Sequence, residues 1–139
     1  MRLLVATDGS DVAFAAVQCA IRLARAIPGS EIHLLNVRRP IKGTAATFVG
    51  RDVIRQYHEE EGQAALARGE AALRESGLKF ESHIARGHAG PTISDYALEH
   101  DCDLIVMGTR GAGAVQALLG STANEVLEHA KVPVVLVKE

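Results

Sequence analysis

The chain has 139 residues, 47% of them hydrophobic, with a formal net charge of -2 and a pI near 6.3. That length suits one domain, residues 1–139, around a single core, and is too short for two ordinary domains. The near-neutral charge, the scattered Lys and Arg and the 4% aromatic content exclude the basic footprint of duplex binding and the stacking platform of single-strand binding.

The first predicted strand is Leu3 to Thr7. A helix follows from Ser10, an N-cap residue type, with Val12, Ala16, Cys19, Leu23 and Ile27 roughly on one face until Pro28-Gly29 stops it. Ile32 to Val37 reads as strand two, and Arg38 to Gly50, with Pro40, two glycines and two threonines, as a loop over one end of a sheet. A long amphipathic helix then runs to about Ser76. Its Glu59-Glu60-Glu61 run belongs to a solvated face, and His58 is expected on the charged side.

Gly77 ends that helix, Lys79 to Ala85 forms strand three, and Gly87 to Pro91 turns into a third helix reaching His100. Leu104 to Met107 is strand four. Thr122 and Glu125 have capping-box spacing for a fourth helix ending near Ala130, and Pro133 introduces the last strand, Val134 to Val137. Alternation of short apolar runs with helical patterns implies a parallel sheet covered on both faces. A doubly wound sheet of this kind takes its ligand beyond the strand C-termini, where the winding reverses. Strands one and four both end in glycine turns, Thr7-Asp8-Gly9-Ser10 and Gly108-Thr109-Arg110-Gly111, which suit opposite sides of one crevice.

No apolar run approaches the length of a membrane span, and Leu3 to Ala6 is far shorter than a signal-peptide core, so a cytoplasmic protein without a membrane partner is expected. Cys19 and Cys102 lack C-x-x-C spacing and read as small hydrophobes. Six histidines invite a metal, yet His58, His83 and His88 show no recognised ligand spacing and no protein-bound transition metal is expected. Catalysis has thin support: no G-x-x-x-x-G-K-[ST] occurs, and no nucleophile stands beside a base.

The segment of densest chemistry is Met107 to Thr122, MGTRGAGAVQALLGST, which leaves an apolar run, passes four glycines and ends where a helix begins. Glycine frees backbone N–H groups to point at an anion, and a helix start adds partial positive charge. The bland reading stands beside it. Gly108 and Gly111 also serve any tight strand-to-loop turn, Asp8-Gly9 is an ordinary turn pair, and Ser10 and Thr122 serve as helix caps without any ligand.

Three blocks, LLVATDGS, LIVMGTRGAG and GSTANEVLEHAKVPVVLVK, resemble the corresponding blocks of the universal stress protein family, in the same order and at similar separations. The resemblance implies an α/β fold: a Rossmann-like, doubly wound, five-stranded parallel sheet of order 3-2-1-4-5 with four helices. It also implies a homodimer through the C-terminal strand Val134 to Val137. The family's ATP-binding branch carries glycine, two residues, glycine, nine residues, then glycine with serine or threonine. Gly108, Gly111 and Gly120-Ser121 match those types, but only eight residues, Ala112 to Leu119, separate the last two glycines. One residue fewer removes up to about 3.5 Å of reach from an extended loop, or turns a helical face by roughly 100° if Val115 to Leu119 is helical.

Carried over by position, the resemblance implies adenine against Ala6, Thr7 and Val37, with Val37 backbone groups reading the base edge. Asp8 falls by the nucleoside, and Met107 and Gly108 on the adenine and ribose side. Gly111, Gly120, Ser121 and Thr122 fall at the phosphates, with Arg110 in the first glycine turn and Ala123 supplying only a backbone contact. The implied cofactor is ATP, with Mg²⁺ or Mn²⁺ arriving on the nucleotide. The expected function is a homodimeric stress-response or signalling module that binds an adenine nucleotide. Occupancy would order Thr109 to Leu119 and fold Arg38 to Gly50 over the base, changing the surface shown to an unidentified protein partner. The eight-residue spacing keeps a second reading open, a nucleotide-independent dimeric interaction module. At most slow ATP hydrolysis is expected; a third reading, an ATP-hydrolysing enzyme, requires turnover well above background that disappears on Asp8→Ala or Ser121→Ala.

Overall fold

The computed structural model describes residues 1–41, 50–111 and 119–138. Five strands, β1 (Arg2–Ala6), β2 (Glu31–Arg38), β3 (Lys79–Arg86), β4 (Leu104–Gly108) and β5 (Val134–Val137), pair in parallel in the order β3-β2-β1-β4-β5. Four helices, α1 (Asp11–Ala26), α2 (Arg51–Ser76), α3 (Ala89–Glu99) and α4 (Ser121–His129), connect them. This is the doubly wound sheet that the alternating pattern and the family resemblance imply. Among the described residues no helix is long and apolar enough to cross a membrane.

Alternation along the strands builds two cores. Leu3, Val5, Ile32, Leu34 and Val106 pack with α1 and α2 on one face, while Leu4, Leu35, Ile105 and Met107 pack with α3 and α4 on the other. Because a strand's side chains alternate sides, a central strand covered twice must be apolar at consecutive positions, which accounts for the Leu3-Leu4-Val5 run. Ser10 caps α1 as expected, its hydroxyl accepting from the Ala13 N–H at 3.3 Å. The buried stripe of α1 is Val12, Ala13, Ala16, Val17, Ala20, Ile21 and Ala24; Cys19 and Leu23 are only half-buried and pack at its edge. Cys102 is buried beside α3, where desolvation pushes its thiol up to about 11.

Three local expectations need correction. The fourth helix begins at Ser121, with Gly120 in extended backbone (φ -72°, ψ 167°) as N-cap and no side-chain cap. Thr122 therefore lies inside the first turn and forms no capping box. The third helix begins at Ala89, so Gly90-Pro91 belongs to its first turn, where a proline's missing N–H costs little. His58 is not on the charged side of α2: it is 3% exposed, and neither ring nitrogen has a hydrogen-bond partner among the described residues. Glu59, Glu60 and Glu61 are exposed as expected. Residues 42–49, most of the expected loop after strand two, and 112–118 lie outside the described residues.

The buried stripe of α2 is narrow: His58, Gly62, Leu66, Gly69 and Leu73. Leu66 and Leu73 are its apolar anchors, each contributing about 2 kcal/mol by burial. A helical glycine costs about 1 kcal/mol relative to alanine. Gly62 offsets that by close approach, since a Cβ there would lie 2.7 Å from Ile84 Cδ1. Gly62→Val is expected to destabilise the fold by about 1–3 kcal/mol, read as a lower urea midpoint with little change in slope.

Desolvation, with Arg86 and Arg38 nearby, holds His58 below the ordinary histidine value. The unfolded chain therefore takes up a proton more readily than the folded one. Stability is full at higher pH and declines as pH falls below about 6.5, until the lowered folded-state value is passed. In urea titrations between neutral and mildly acid pH, His58→Leu should lose stability less steeply than the unsubstituted chain; parallel curves would exclude His58 as the cause.

Candidate functional site

The site is a notch made by unequal strand lengths. β1 ends at Ala6, opposite Leu35, whereas β2 runs on to Arg38 and β4 to Gly108, both past the last β1 pairing. One further bond, from the Thr7 N–H to the Leu35 carbonyl at 2.9 Å, closes the β1 side before the chain turns away through Asp8 and Gly9. The result is a cleft of about 410 Å³ beyond the strand C-termini, within the range of small-molecule pockets.

All the sequence-selected residues come together there. Ala6, Thr7 and Asp8 form the β1 side and Val37 the β2 wall; Met107, Gly108, Arg110 and Gly111 come from β4 and its turn, and Gly120, Ser121, Thr122 and Ala123 from the start of α4. The two glycine turns do face each other. A Cβ on Gly111 would lie 2.7 Å from an Asp8 carboxylate oxygen, and a Cβ on Gly120 would lie 3.6 Å from the Gly111 nitrogen. The Gly120 N–H also donates to the Thr109 carbonyl at 2.7 Å, so the eight-residue spacing leaves Gly111 and Gly120 side by side.

Two sets of main-chain groups give the cleft its polarity. The Leu35 carbonyl faces β1 and the Arg38 carbonyl faces β3, where it accepts from the Gly87 N–H at 2.9 Å. Strand alternation turns the Val37 N–H and C=O back to the β1 side, beyond the end of β1 and into the notch. At the opposite wall, the first N–H groups of α4 have no side-chain cap, and such a helix start offers donors and partial positive charge to an anion. Strand main-chain groups and an uncapped helix start thus stand across one cleft.

Sequence reasoning missed Ala13, Leu35, Asn36, Ala89 and Ile93, which also line it. Four are apolar wall residues indistinguishable from ordinary core. Asn36 carried a signal, a carboxamide after the apolar Leu34-Leu35 pair of its strand. It is 2% exposed, its Nδ2 donates to the Thr7 carbonyl at 2.8 Å, and its Oδ1 has no partner among the described residues. Asn36 therefore ties β2 to the β1 turn that forms the cleft floor.

The sequence profile of the universal stress protein family matches residues 1–138. The chain belongs to that family. It is 34% identical to a universal stress protein of Methanocaldococcus jannaschii, over 99% of this chain and 82% of that relative. Among solved structures, the universal stress protein of Archaeoglobus fulgidus in complex with dAMP superposes with a TM-score of 0.70 at 25% identity, covering 99% of this chain and 97% of that one. A universal stress protein in complex with cAMP gives a TM-score of 0.68 at 25% identity, covering 99% and 96%. Relatives with this family fold thus hold adenine nucleotides.

Proposed function

We propose that this universal stress protein binds ATP, or a related adenine nucleotide, in the cleft between the β1 and β4 turns, and acts as a homodimeric signalling module. The observation that carries this reading is the placement of main-chain donors and acceptors at both ends of one cleft of nucleotide size. The Val37 N–H and C=O match the acceptor and amino donor on an adenine edge. Ala6, Thr7 and Met107 supply the apolar and turn surfaces against base and ribose, and Asp8 stands by the sugar. Gly111, Gly120, Ser121 and Thr122 present N–H and hydroxyl donors to phosphates, with Arg110 adding charge and Ala123 a backbone group. The dAMP and cAMP complexes of relatives support an adenine nucleotide as the ligand class.

Mg²⁺ or Mn²⁺ would arrive on the phosphates and neutralise part of their charge. The dimer reading rests on β5, paired among the described residues only with β4, whose four apolar residues Val134 to Val137 are all half-buried. A bound nucleotide would bridge the β1 turn to the β4 turn, coupling occupancy to the loop surface that a partner protein meets.

The protein purified without added nucleotide, then denatured, should release an adenine nucleotide detectable by mass spectrometry, and calorimetry should show micromolar binding of ATP with Mg²⁺. Gly120→Val fills the space beside Arg110 and Gly111 and is expected to weaken binding at least about 100-fold, equivalent to roughly 2.7 kcal/mol, while the mass by light scattering stays that of a dimer. No released nucleotide and no measurable binding, with the dimer intact, would favour the nucleotide-independent interaction module. Wild-type affinity in Gly120→Val would remove this cleft as the site.

A further inference from the structure

On the α3 face of the sheet, at the edge away from β5, histidines far apart in sequence meet. His33 of β2 and Glu81 of β3 are register partners, and His83 lies two residues further along β3, so all three project from one face. One ligand atom from each lies within 4.8 Å of the other two. His83 Nε2 is 3.2 Å, and His33 Nδ1 4.0 Å, from the same Glu81 oxygen. None of the three lines the nucleotide cleft.

We propose that His33, Glu81 and His83 form a binding site for a divalent transition-metal ion of the zinc class. Two imidazoles and a carboxylate are a donor set that suits zinc, and ligands held at about 2.0–2.2 Å in a tetrahedron stand about 3.4 Å apart. The His83–Glu81 separation of 3.2 Å is close to that value, and the His33–Glu81 separation of 4.0 Å needs to close by roughly half an ångström. The imidazole rings of His33 and His83 are stacked nearly parallel, 12° apart with centroids 5.7 Å apart.

The surroundings fix the inner ligand and leave the outer ones accessible. His33 is 5% exposed, and its Nδ1, the atom facing Glu81, shares a 2.7 Å hydrogen bond with the Tyr96 hydroxyl, which an ion bound at that nitrogen displaces. The Tyr96 ring, edge-on to His33 with centroids 5.8 Å apart and stacked on His100, still packs the imidazole in place. Glu81 and His83 lie on the edge strand with side chains 58% and 36% exposed, giving an ion a path in and water a place to complete its coordination. The ion joins edge strand β3 to β2 through side chains as well as through the ladder.

The test uses the full chain without an affinity tag, stripped with chelator, dialysed and free of nucleotide. Calorimetric titration with Zn²⁺ should give one ion per chain, and Co²⁺ should produce the intense visible band of a four-coordinate site. Glu81→Gln at an exposed position and His83→Ala at a half-buried position on the edge strand should each weaken binding at least about tenfold. His88→Ala, at an exposed histidine paired with Glu125 instead, should bind like the unsubstituted chain. Absence of stoichiometric binding, or unchanged binding in Glu81→Gln and His83→Ala with circular dichroism showing both folded, overturns the proposal and leaves a packed aromatic and hydrogen-bonded cluster.

Discussion

The early end of β1 is the constraint on which the rest of the molecule depends. A central strand must pair on both sides and be covered on both faces, which Leu3, Leu4 and Val5 satisfy with complete burial. Its neighbours nevertheless outrun it, and the main-chain groups they expose past Ala6 find no strand beside them. Unpaired main-chain groups in a partly enclosed place are costly unless water or a ligand meets them. A surface of main-chain donors and acceptors therefore arises from strand length alone, before any particular side chain is chosen.

The turn that ends β1 is secured from several directions. The Thr7 hydroxyl accepts from the Gly9 N–H at 3.1 Å, and an Asp8 carboxylate oxygen accepts from the Ser10 N–H at 3.0 Å. Gly9, with φ of +86°, takes a backbone conformation that side-chain-bearing residues rarely adopt, and it lies close against Ala65 of α2. Thus α2 on one face and Asn36 in the neighbouring strand both support the same four residues. The cleft is built on rigid elements at its β1 side, and its opposite side is pinned by the bond between Gly120 and Thr109.

Much of this was legible in the sequence because local chemistry and global fold agree there. Apolar runs marked all five strands to within one residue or so, Ser10 announced α1, and the glycine turns after strands one and four pointed to one crevice. Where reading failed, the cause was tertiary. His58 sits in a helical stripe whose other members include two glycines, so the apolar period was too weak to show which side was buried. Thr122 had the spacing of a cap, but the extended backbone at Gly120 starts the helix two residues earlier. Asn36 was hidden inside a strand pattern. His33 and His83 belong to different strands, and only the β2–β3 register brings them to one face.

The Val37 main chain also bears on how this protein can vary. Any ligand edge read there would meet atoms that every residue possesses, so selectivity at that point would be carried by strand register and not by the identity of a side chain. Substitution along that wall can remodel shape and hydrophobicity while leaving the hydrogen-bonding grammar untouched. A scan that truncates side chains one at a time would pass over it. Divergent chains can consequently retain a common ligand preference with few shared residues at the point of reading, and lose it abruptly through a slipped strand.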